Sequence, residues 1–182
     1  EVGVKTQWFD DQLLATFAVF SAKQDNIATY AGLNASGFTY YKGADQDTQG
    51  FELELTGQIT DDLNAVFAYT YLDINDDAGD SSHEWEPENV VNFSLDYTPP
   101  QLPQFQFGLA GKWQSKTANI ASNVKQDSYL LMNAFARWDA SEDLSIQANI
   151  DNITDEKHIT SLANVGFYGS PISGKVSLTY RF

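Results

Sequence analysis

Residue types that could support hydrolysis occur in the polar segments of the chain. His83 and His158 are its two histidines, and each lies in or beside a segment that we predict to be a long loop. A hydrolytic site built on strands needs a serine, a histidine and a carboxylate on neighbouring strands. His158 has Asp155 and Ser161 close by in the sequence, but these residue types are common in loops. The sequence therefore does not predict an enzyme or any catalytic residue.

Residues 73–84 imitate the spacing of a calcium-binding loop. Side chains with oxygen atoms stand at relative positions 1, 3, 5, 9 and 12 of this segment, which are Asp73, Asn75, Asp77, Ser81 and Glu84. The glycine that such a loop needs for its sharp turn is replaced by Ala78, and strands rather than helices are predicted on either side. We interpret the segment as a solvated acidic loop, with weak divalent-cation binding as a minor alternative. No metal site and no cofactor is predicted.

Aromatic side chains recur in three predicted long loops. The residues that we predict to contact a ligand are Tyr30, Tyr40 and Tyr41 in the first loop, His83 and Trp85 in the second, and Phe167 and Tyr168 in the last. Aromatic groups with sparse polar neighbours suit a bulky, partly apolar ligand. An equally good interpretation is that these rings belong to loop packing or to an aromatic belt.

Composition excludes several classes of protein. The chain has 25 Asp and Glu residues against 10 Lys and Arg residues, and its formal net charge is −15. A nucleic-acid partner is excluded, because such binding needs basic surface. Cysteine is absent, which rules out disulfides, thiol nucleophiles and thiolate metal sites. No window approaches the roughly 18 consecutive apolar residues of a membrane helix.

The elements that must position these residues are strands. Segments such as 51–57, 91–97, 105–111 and 144–150 alternate large apolar residues with polar or small ones, which is typical of a half-buried strand. Residues 13–26 are apolar on both faces, so the sequence does not orient them. We predict nine strands, at residues 2–8, 13–28, 46–58, 63–75, 88–98, 104–115, 128–139, 144–154 and 171–182.

Short and long connections alternate between these strands. Short turns are predicted at 9–12, 60–62, 99–103 and 140–143, and long connections at 29–47, 75–88, 116–127 and 154–170. This alternation is how an outer-membrane barrel is built, with tight periplasmic turns and long extracellular loops. The fold class that we predict is all-β, a transmembrane antiparallel up-and-down β-barrel whose last strand ends on the periplasmic side. Because single-chain bacterial barrels have even strand numbers, nine strands are either a miscounted eight or ten or the end of a larger barrel.

Aromatic residues cluster near the short-turn ends of the predicted strands. We predict that they form a membrane girdle in contact with outer-membrane lipid, in which the carboxyl-terminal strand takes part. The girdle residues are Trp8, Tyr97, Trp138, Tyr180 and Phe182.

Four ordered motifs carry a resemblance to a known family. Residues 166–182 read Gly-Phe-Tyr-Gly-Ser-Pro-Ile-Ser-Gly-Lys-Val-Ser-Leu-Thr-Tyr-Arg-Phe. This segment resembles the end of the TonB-dependent outer-membrane receptors, especially the ferric-siderophore receptors. Residues 48–73, 86–97 and 144–158 are similar to the same family in the same order. Ile172 departs from the pattern, because siderophore receptors usually carry arginine at that position.

The resemblance implies a fold and a function for this chain. Residues 1–182 would be the carboxy-terminal portion of a barrel of about 22 strands, without the plug domain and the earlier strands. The chain has no initiator methionine and no signal peptide, so we expect either a mature form or a fragment of an outer-membrane protein from a Gram-negative bacterium. The opening residues already have the pattern of a strand, which favours a fragment. The implied partners are a ferric siderophore or other chelate, and the TonB complex through the missing amino-terminal region. A passive porin-like or small barrel and a soluble all-β binding domain remain as alternatives.

Overall fold

The computed structural model describes residues 1–76, 78–119, 122–163 and 166–182, and within them the only regular elements are strands. The strands are β1 (Val2–Trp8), β2 (Leu13–Leu33), β3 (Thr39–Thr60), β4 (Leu63–Asp76), β5 (Asn89–Tyr97), β6 (Phe105–Gln114), β7 (Thr117–Asn119), β8 (Val124–Gln126), β9 (Tyr129–Asp139), β10 (Leu144–Asp151), β11 (Ile159–Ser161), β12 (Phe167–Tyr168) and β13 (Ser173–Tyr180). No helix in the described ranges is long and apolar enough to cross a membrane.

Nine of these strands form one antiparallel sheet in the order β1-β2-β3-β4-β5-β6-β9-β10-β13. Each strand pairs with the next long strand along the chain, which is the connectivity of an up-and-down meander. The remaining strands form two small hairpins, β7–β8 and β11–β12, inside connections. The predicted all-β antiparallel architecture and its nine strands are confirmed.

The strand register sorts the side chains onto two chemically different faces. Directly paired residues point to the same side of a sheet. One row of successive partners across six strands is entirely apolar, and consists of Phe17, Leu53, Tyr69, Val91, Trp113 and Leu130. The neighbouring row on the opposite face is mixed, and consists of Ala18, Glu52, Thr70, Val90, Gln114 and Tyr129. The sheet therefore has one apolar face and one mixed face, which we call the polar face.

The apolar face is left uncovered even on interior strands. Leu95 is 39% exposed and Leu109 is 37% exposed, although both lie in the middle of the sheet. Among the described residues, the buried hydrophobic side chains are Tyr129 and Leu162, and neither belongs to this face. A contiguous apolar surface of this extent is unfavourable in water, so it requires an apolar surrounding.

The register also orients β2, whose sequence is apolar on both faces. Phe17 and Val19 pair with Leu53 and Phe51 and so lie on the apolar face. Phe20 lies on the polar face opposite Gly50, where a side chain on residue 50 would overlap the phenyl ring. The aromatic ring thus fills the space that the glycine leaves open.

The predicted bounds of the first long connection are wrong. The sequence predicts a loop at 29–47, but β2 continues to Leu33 and β3 begins at Thr39, leaving a turn at 34–38. The side-chain oxygen of Asn34 closes this turn by accepting the backbone N–H groups of Ser36 and Phe38, each at 3.0 Å. The alternation of apolar and polar residues does not reveal this hairpin, because the strand pairing continues through polar residues beyond the apolar part of the two strands. Two further connections also contain hairpins, at β7–β8 and β11–β12.

Candidate functional site

Three connections at one end of the sheet are joined into a single unit, which we call the loop assembly. It comprises the described residues of 75–88, 115–128 and 152–170, which link alternate strand pairs. The backbone N–H of Ala118 donates to the Glu84 carbonyl at 2.7 Å, joining the first connection to the second. The side-chain amide of Asn119 donates to the Leu162 carbonyl at 2.6 Å, joining the second to the third.

The β7–β8 hairpin is the central member of the loop assembly. Asn119 is buried, and its amide also donates to the carbonyl of Ala163 at 3.1 Å. Gln126, on the partner strand, accepts the backbone N–H of Ile159 at 2.8 Å. Both strands of the hairpin therefore hold backbone groups of the last connection, which restricts how far the two can separate.

We predict that Asn119→Ala opens this junction without unfolding the sheet. The substitution removes side-chain hydrogen bonds that each contribute about 0.5–1.5 kcal/mol. Hydrogen exchange measured by mass spectrometry is expected to accelerate at residues 159–163 and to stay unchanged in β3 and β4. Ser128→Ala, an exposed position next to the same hairpin, is the matched control and leaves both regions unaltered. Equal exchange in the two variants would contradict the role of Asn119.

His158 is packed as a structural side chain rather than presented to solvent. It is 6% exposed, its ring centroid lies 4.8 Å from that of Tyr129, and its Nδ1 lies 3.1 Å from the Glu156 carbonyl oxygen. A methyl group on Gly169 would overlap the imidazole. In the described part of the chain, no hydrogen bond joins His158 to Asp155 or Ser161. The three residues therefore do not form a hydrolytic triad here.

Asn152 organises the turn after β10. Its side-chain amide donates to the carbonyls of Glu156 and Ser170, both at 3.0 Å, and its side-chain oxygen accepts the Glu156 N–H at 2.8 Å. Its φ of 50° lies in the left-handed region, which asparagine tolerates better than most residues. These contacts account for the asparagine at position 152 within the motif at 149–157.

The predicted ligand-contacting residues are grouped in pairs rather than in one pocket. Tyr30 and Tyr41 meet edge to face near the tip of the β2–β3 hairpin, with ring centroids 6.4 Å apart. Tyr40 pairs with Gly32, and by alternation along β3 it lies on the opposite face from Tyr41. Within the described ranges, no ring contact joins this hairpin to the aromatic residues of the other connections.

The remaining predicted residues lie in the loop assembly. His83 and Trp85 form a ring pair with centroids 4.6 Å apart. Phe167 and Tyr168 make up β12, where they are 62% and 85% exposed. Their exposure leaves both rings accessible to a ligand, and their binding role stays a prediction.

A cleft that sequence reasoning missed lies between the first two connections of the loop assembly. It encloses about 410 Å³, with residues 72–74, 81–84 and 86–88 on one side and residues 116–118 and 125–127 on the other. Of the seven residues predicted to contact a ligand, His83 lines it. The available signal was the density of charged residues in both segments, but only the fold shows that these segments face each other.

The calcium-like spacing in 73–84 does not produce a coordination shell among the residues described. The Asp73 carboxylate accepts a hydrogen bond from the Asn75 side chain at 2.9 Å, and both lie at the end of β4. Asp76 Oδ1 accepts the N–H groups of Ala78 and Asp80 at 3.0 Å. Asp77, the residue at relative position 5, lies outside the described residues. No group of three or more His, Cys, Asp or Glu residues that could hold a metal occurs within the described ranges.

The predicted girdle residues lie together at the opposite, short-turn end of the sheet. Trp8, Tyr97, Trp138 and Tyr180 occupy the apolar face, and each is more than 40% exposed. The Trp138 ring stacks on Phe105 at 6.1 Å, and Tyr180 stacks on Phe182 at 6.4 Å. Aromatic side chains at the rim of an apolar band are suited to a membrane–water boundary, and the girdle role stays a prediction.

An antiparallel meander with one apolar face and joined loops at one end is the architecture of an outer-membrane β-barrel. The family model described as "TonB dependent receptor-like, beta-barrel" matches residues 1–153, and the chain belongs to this family. Its members are outer-membrane proteins of Gram-negative bacteria.

The relatives are named as siderophore receptors. The chain is 29% identical to the ferripyoverdine receptor of Pseudomonas aeruginosa, with 96% of this chain and 23% of that protein covered. It is also 29% identical to the ferric-pyoverdine BN7/BN8 receptor of Pseudomonas putida, with 100% and 22% covered. The structure of the pyoverdine receptor FpvA from Pseudomonas aeruginosa bound to pyoverdine superimposes with a TM-score of 0.87 at 25% identity, covering 99% of this chain and 29% of that one. The chain thus spans about a quarter of the length of the relatives it matches.

Proposed function

We propose that this chain forms part of an outer-membrane receptor that imports a ferric siderophore or a similar metal chelate with TonB-derived energy. The observation that carries the proposal is the apolar face, which continues across all nine strands while its interior residues stay exposed. Lipid hydrocarbon would cover such a face, and closure with further strands would satisfy the backbone. The names of the relatives support a siderophore as the transported ligand.

Residues 1–182 would form the carboxy-terminal portion of the barrel. The plug domain and the earlier strands would then belong to the remainder of the protein, which agrees with the quarter of its relatives' length that the chain spans. Contact with the TonB complex would be made by that remainder. In this arrangement the polar face, with Glu52, Glu54 and Asp96, would look into the barrel.

The loop assembly and the β2–β3 hairpin would face the exterior and make the first contact with the chelate. Their aromatic side chains offer apolar contact area, and the nearby polar groups would fix the orientation of the ligand. Catalysis is not part of this proposal, because a receptor binds and releases its ligand unchanged. A passive porin-like barrel is less well supported, because the matched relatives are named as receptors.

Energy-dependent uptake tests the proposal. In a strain lacking the gene, radioactive iron supplied as defined siderophore chelates should enter less than in the parent, and the intact gene should restore entry. Restoration should fail in a strain that also lacks TonB, since the ligand would stay bound outside. Uptake that persists without TonB would favour the passive barrel, and a soluble protein in the periplasmic fraction would overturn both membrane interpretations.

A further inference from the structure

We propose that the cleft lined by residues 72–74, 81–84, 86–88, 116–118 and 125–127, here called the acidic cleft, binds an organic amine through several ammonium groups. The inference rests on the proposed function, because such an amine would be either an arm of the transported chelate or a separate cation captured with it. The chemistry common to both is an alkyl chain that carries two or more positive charges.

Backbone hydrogen bonds hold the walls of the acidic cleft in place. The Leu72 N–H donates to the Glu88 carbonyl at 2.8 Å, and the Ser82 N–H donates to the Ile74 carbonyl at 2.8 Å. The bond from Ala118 to Glu84 ties the two walls together. The cavity is therefore preformed, and its volume of about 410 Å³ suits a small organic ligand.

The lining of the acidic cleft is strongly negative. Its five carboxylates are Asp73, Glu84, Glu86, Glu88 and Asp127, and its two ammonium groups are those of Lys116 and Lys125, which leaves a formal charge of −3. The ion pairs within 4.0 Å in the described part of the chain are Lys23–Asp25 and Arg137–Asp139, so neither lysine neutralises a carboxylate by direct contact. A cleft lined by one sign of charge concentrates ions of the opposite sign.

The distribution of these carboxylates favours an extended cation over a single metal ion. No three acidic or histidine side chains in the described ranges stand close enough to hold one metal. A chain with separated ammonium groups can instead approach several carboxylates in turn. Its methylene groups would rest against Leu72, Ile74 and Pro87, which supply apolar lining between the charges.

An unused hydrogen-bonding group also lines the acidic cleft. Thr117 is 6% exposed, and its hydroxyl makes no hydrogen bond within the described residues. No fully enclosed side-chain polar atom in those residues lacks a partner, so this hydroxyl keeps some accessible surface. Thr117 itself is one of the residues that line the cleft. A buried hydroxyl oxygen without a protein partner can accept a hydrogen bond from an ammonium group.

Calorimetric titration of the intact protein in detergent with spermidine tests the site. We expect saturable binding that weakens with added salt, and about tenfold weaker binding in the Glu84→Gln/Glu86→Gln variant, because two favourable charges are removed. Glu142→Gln/Asp143→Asn removes two charges from a remote short turn and should bind spermidine as the parent does. Lys116→Gln should bind more tightly, a gain that a folding defect cannot produce.

Three results would overturn the site. These are no binding of spermidine, equal affinity in the two charge-removal variants, or equally tight binding of magnesium chloride at matched ionic strength. Diffuse attraction by a chain of net charge −15 would give the second result. If spermidine also competes with iron uptake, the amine belongs to the chelate; binding without competition assigns the cleft to a separate amine.

The two proposals fail separately. If the chelate is taken up in a TonB-dependent way but spermidine does not bind, the proposed amine site is disproved and the proposed receptor function stands. If spermidine binding responds to the cleft variants but loss of the protein leaves iron uptake unchanged, only the proposed receptor function is disproved.

Discussion

Leu95→Arg is expected to lower the free energy of unfolding in lipid bilayers by about 1–3 kcal/mol, between the costs at the bilayer midplane and at the interface. Leu95 lies on the apolar face of β5, two residues before Tyr97, and it pairs with Ala65 and Leu109. If this face lies against hydrocarbon, the guanidinium must leave water or draw water into the bilayer. On a face exposed to water the same substitution would change the free energy of unfolding little. The size of the measured change therefore tests whether this face lies against lipid.

Ser94→Arg is the matched control, because it places the same charge one residue away on the polar face. Ser94 pairs with Val66 and Ala110. Urea-induced unfolding of the intact protein in lipid vesicles, followed by tryptophan fluorescence, should give a much smaller change for this variant. Similar losses for both substitutions would contradict the two-faced sheet as the membrane-spanning element.

Gly108→Ala is expected to destabilise the protein by about 1–3 kcal/mol, the usual cost of overpacking. Gly108 in β6 pairs with Phe135 in β9 on the polar face, and the phenyl ring occupies the space that a side chain at position 108 would fill. A methyl group at position 108 would overlap ring atoms, so the ring must leave its position. The opposite sign is expected at an uncrowded strand glycine, where alanine reduces the freedom of the unfolded chain.

A second substitution separates the contact from other effects of alanine. Phe135→Leu shortens the side chain that occupies the space, and the Gly108→Ala/Phe135→Leu variant should lose less stability than the two single changes added together. Gly174→Ala is the strand control, because the nearest atom to its added methyl group is the Asn149 carbonyl oxygen at 3.6 Å. Additive losses at 108 and 135, measured by urea unfolding, would show that the glycine and the ring act independently.

Much of the fold could be predicted from the sequence because alternation is a local property. The strands predicted at 63–75, 104–115 and 128–139 agree within a residue or two with the observed strands. The β2–β3 hairpin was missed above residue 28, since its polar residues carry no alternation of hydrophobicity. Its ladder is visible only when both strands are seen to pair, from Ile27 with Ala44 up to Leu33 with Thr39.

The candidate site was less predictable than the strands. Aromatic residues in loops could be named, but the sequence did not reveal that Tyr30 meets Tyr41 while Tyr40 faces the other way. In the sequence His158 stands near Asp155 and Ser161, the residue types of a hydrolytic site. In the structure its ring packs against Tyr129. The acidic cleft arises from two connections that are separated by the whole of β5 and β6.

The class of the protein can be inferred from the sequence alone, through period-two alternation, the sorting of short and long connections and the motif at the carboxyl end. Each of these is readable along the chain, because a strand shows its two faces in its own residue order. Only the folded chain shows the orientation of β2, the joining of three connections by Ala118, Asn119 and Gln126, and the charge of the acidic cleft. These depend on register and on hydrogen bonds between residues distant in sequence, and no local pattern specifies which distant backbone groups will meet.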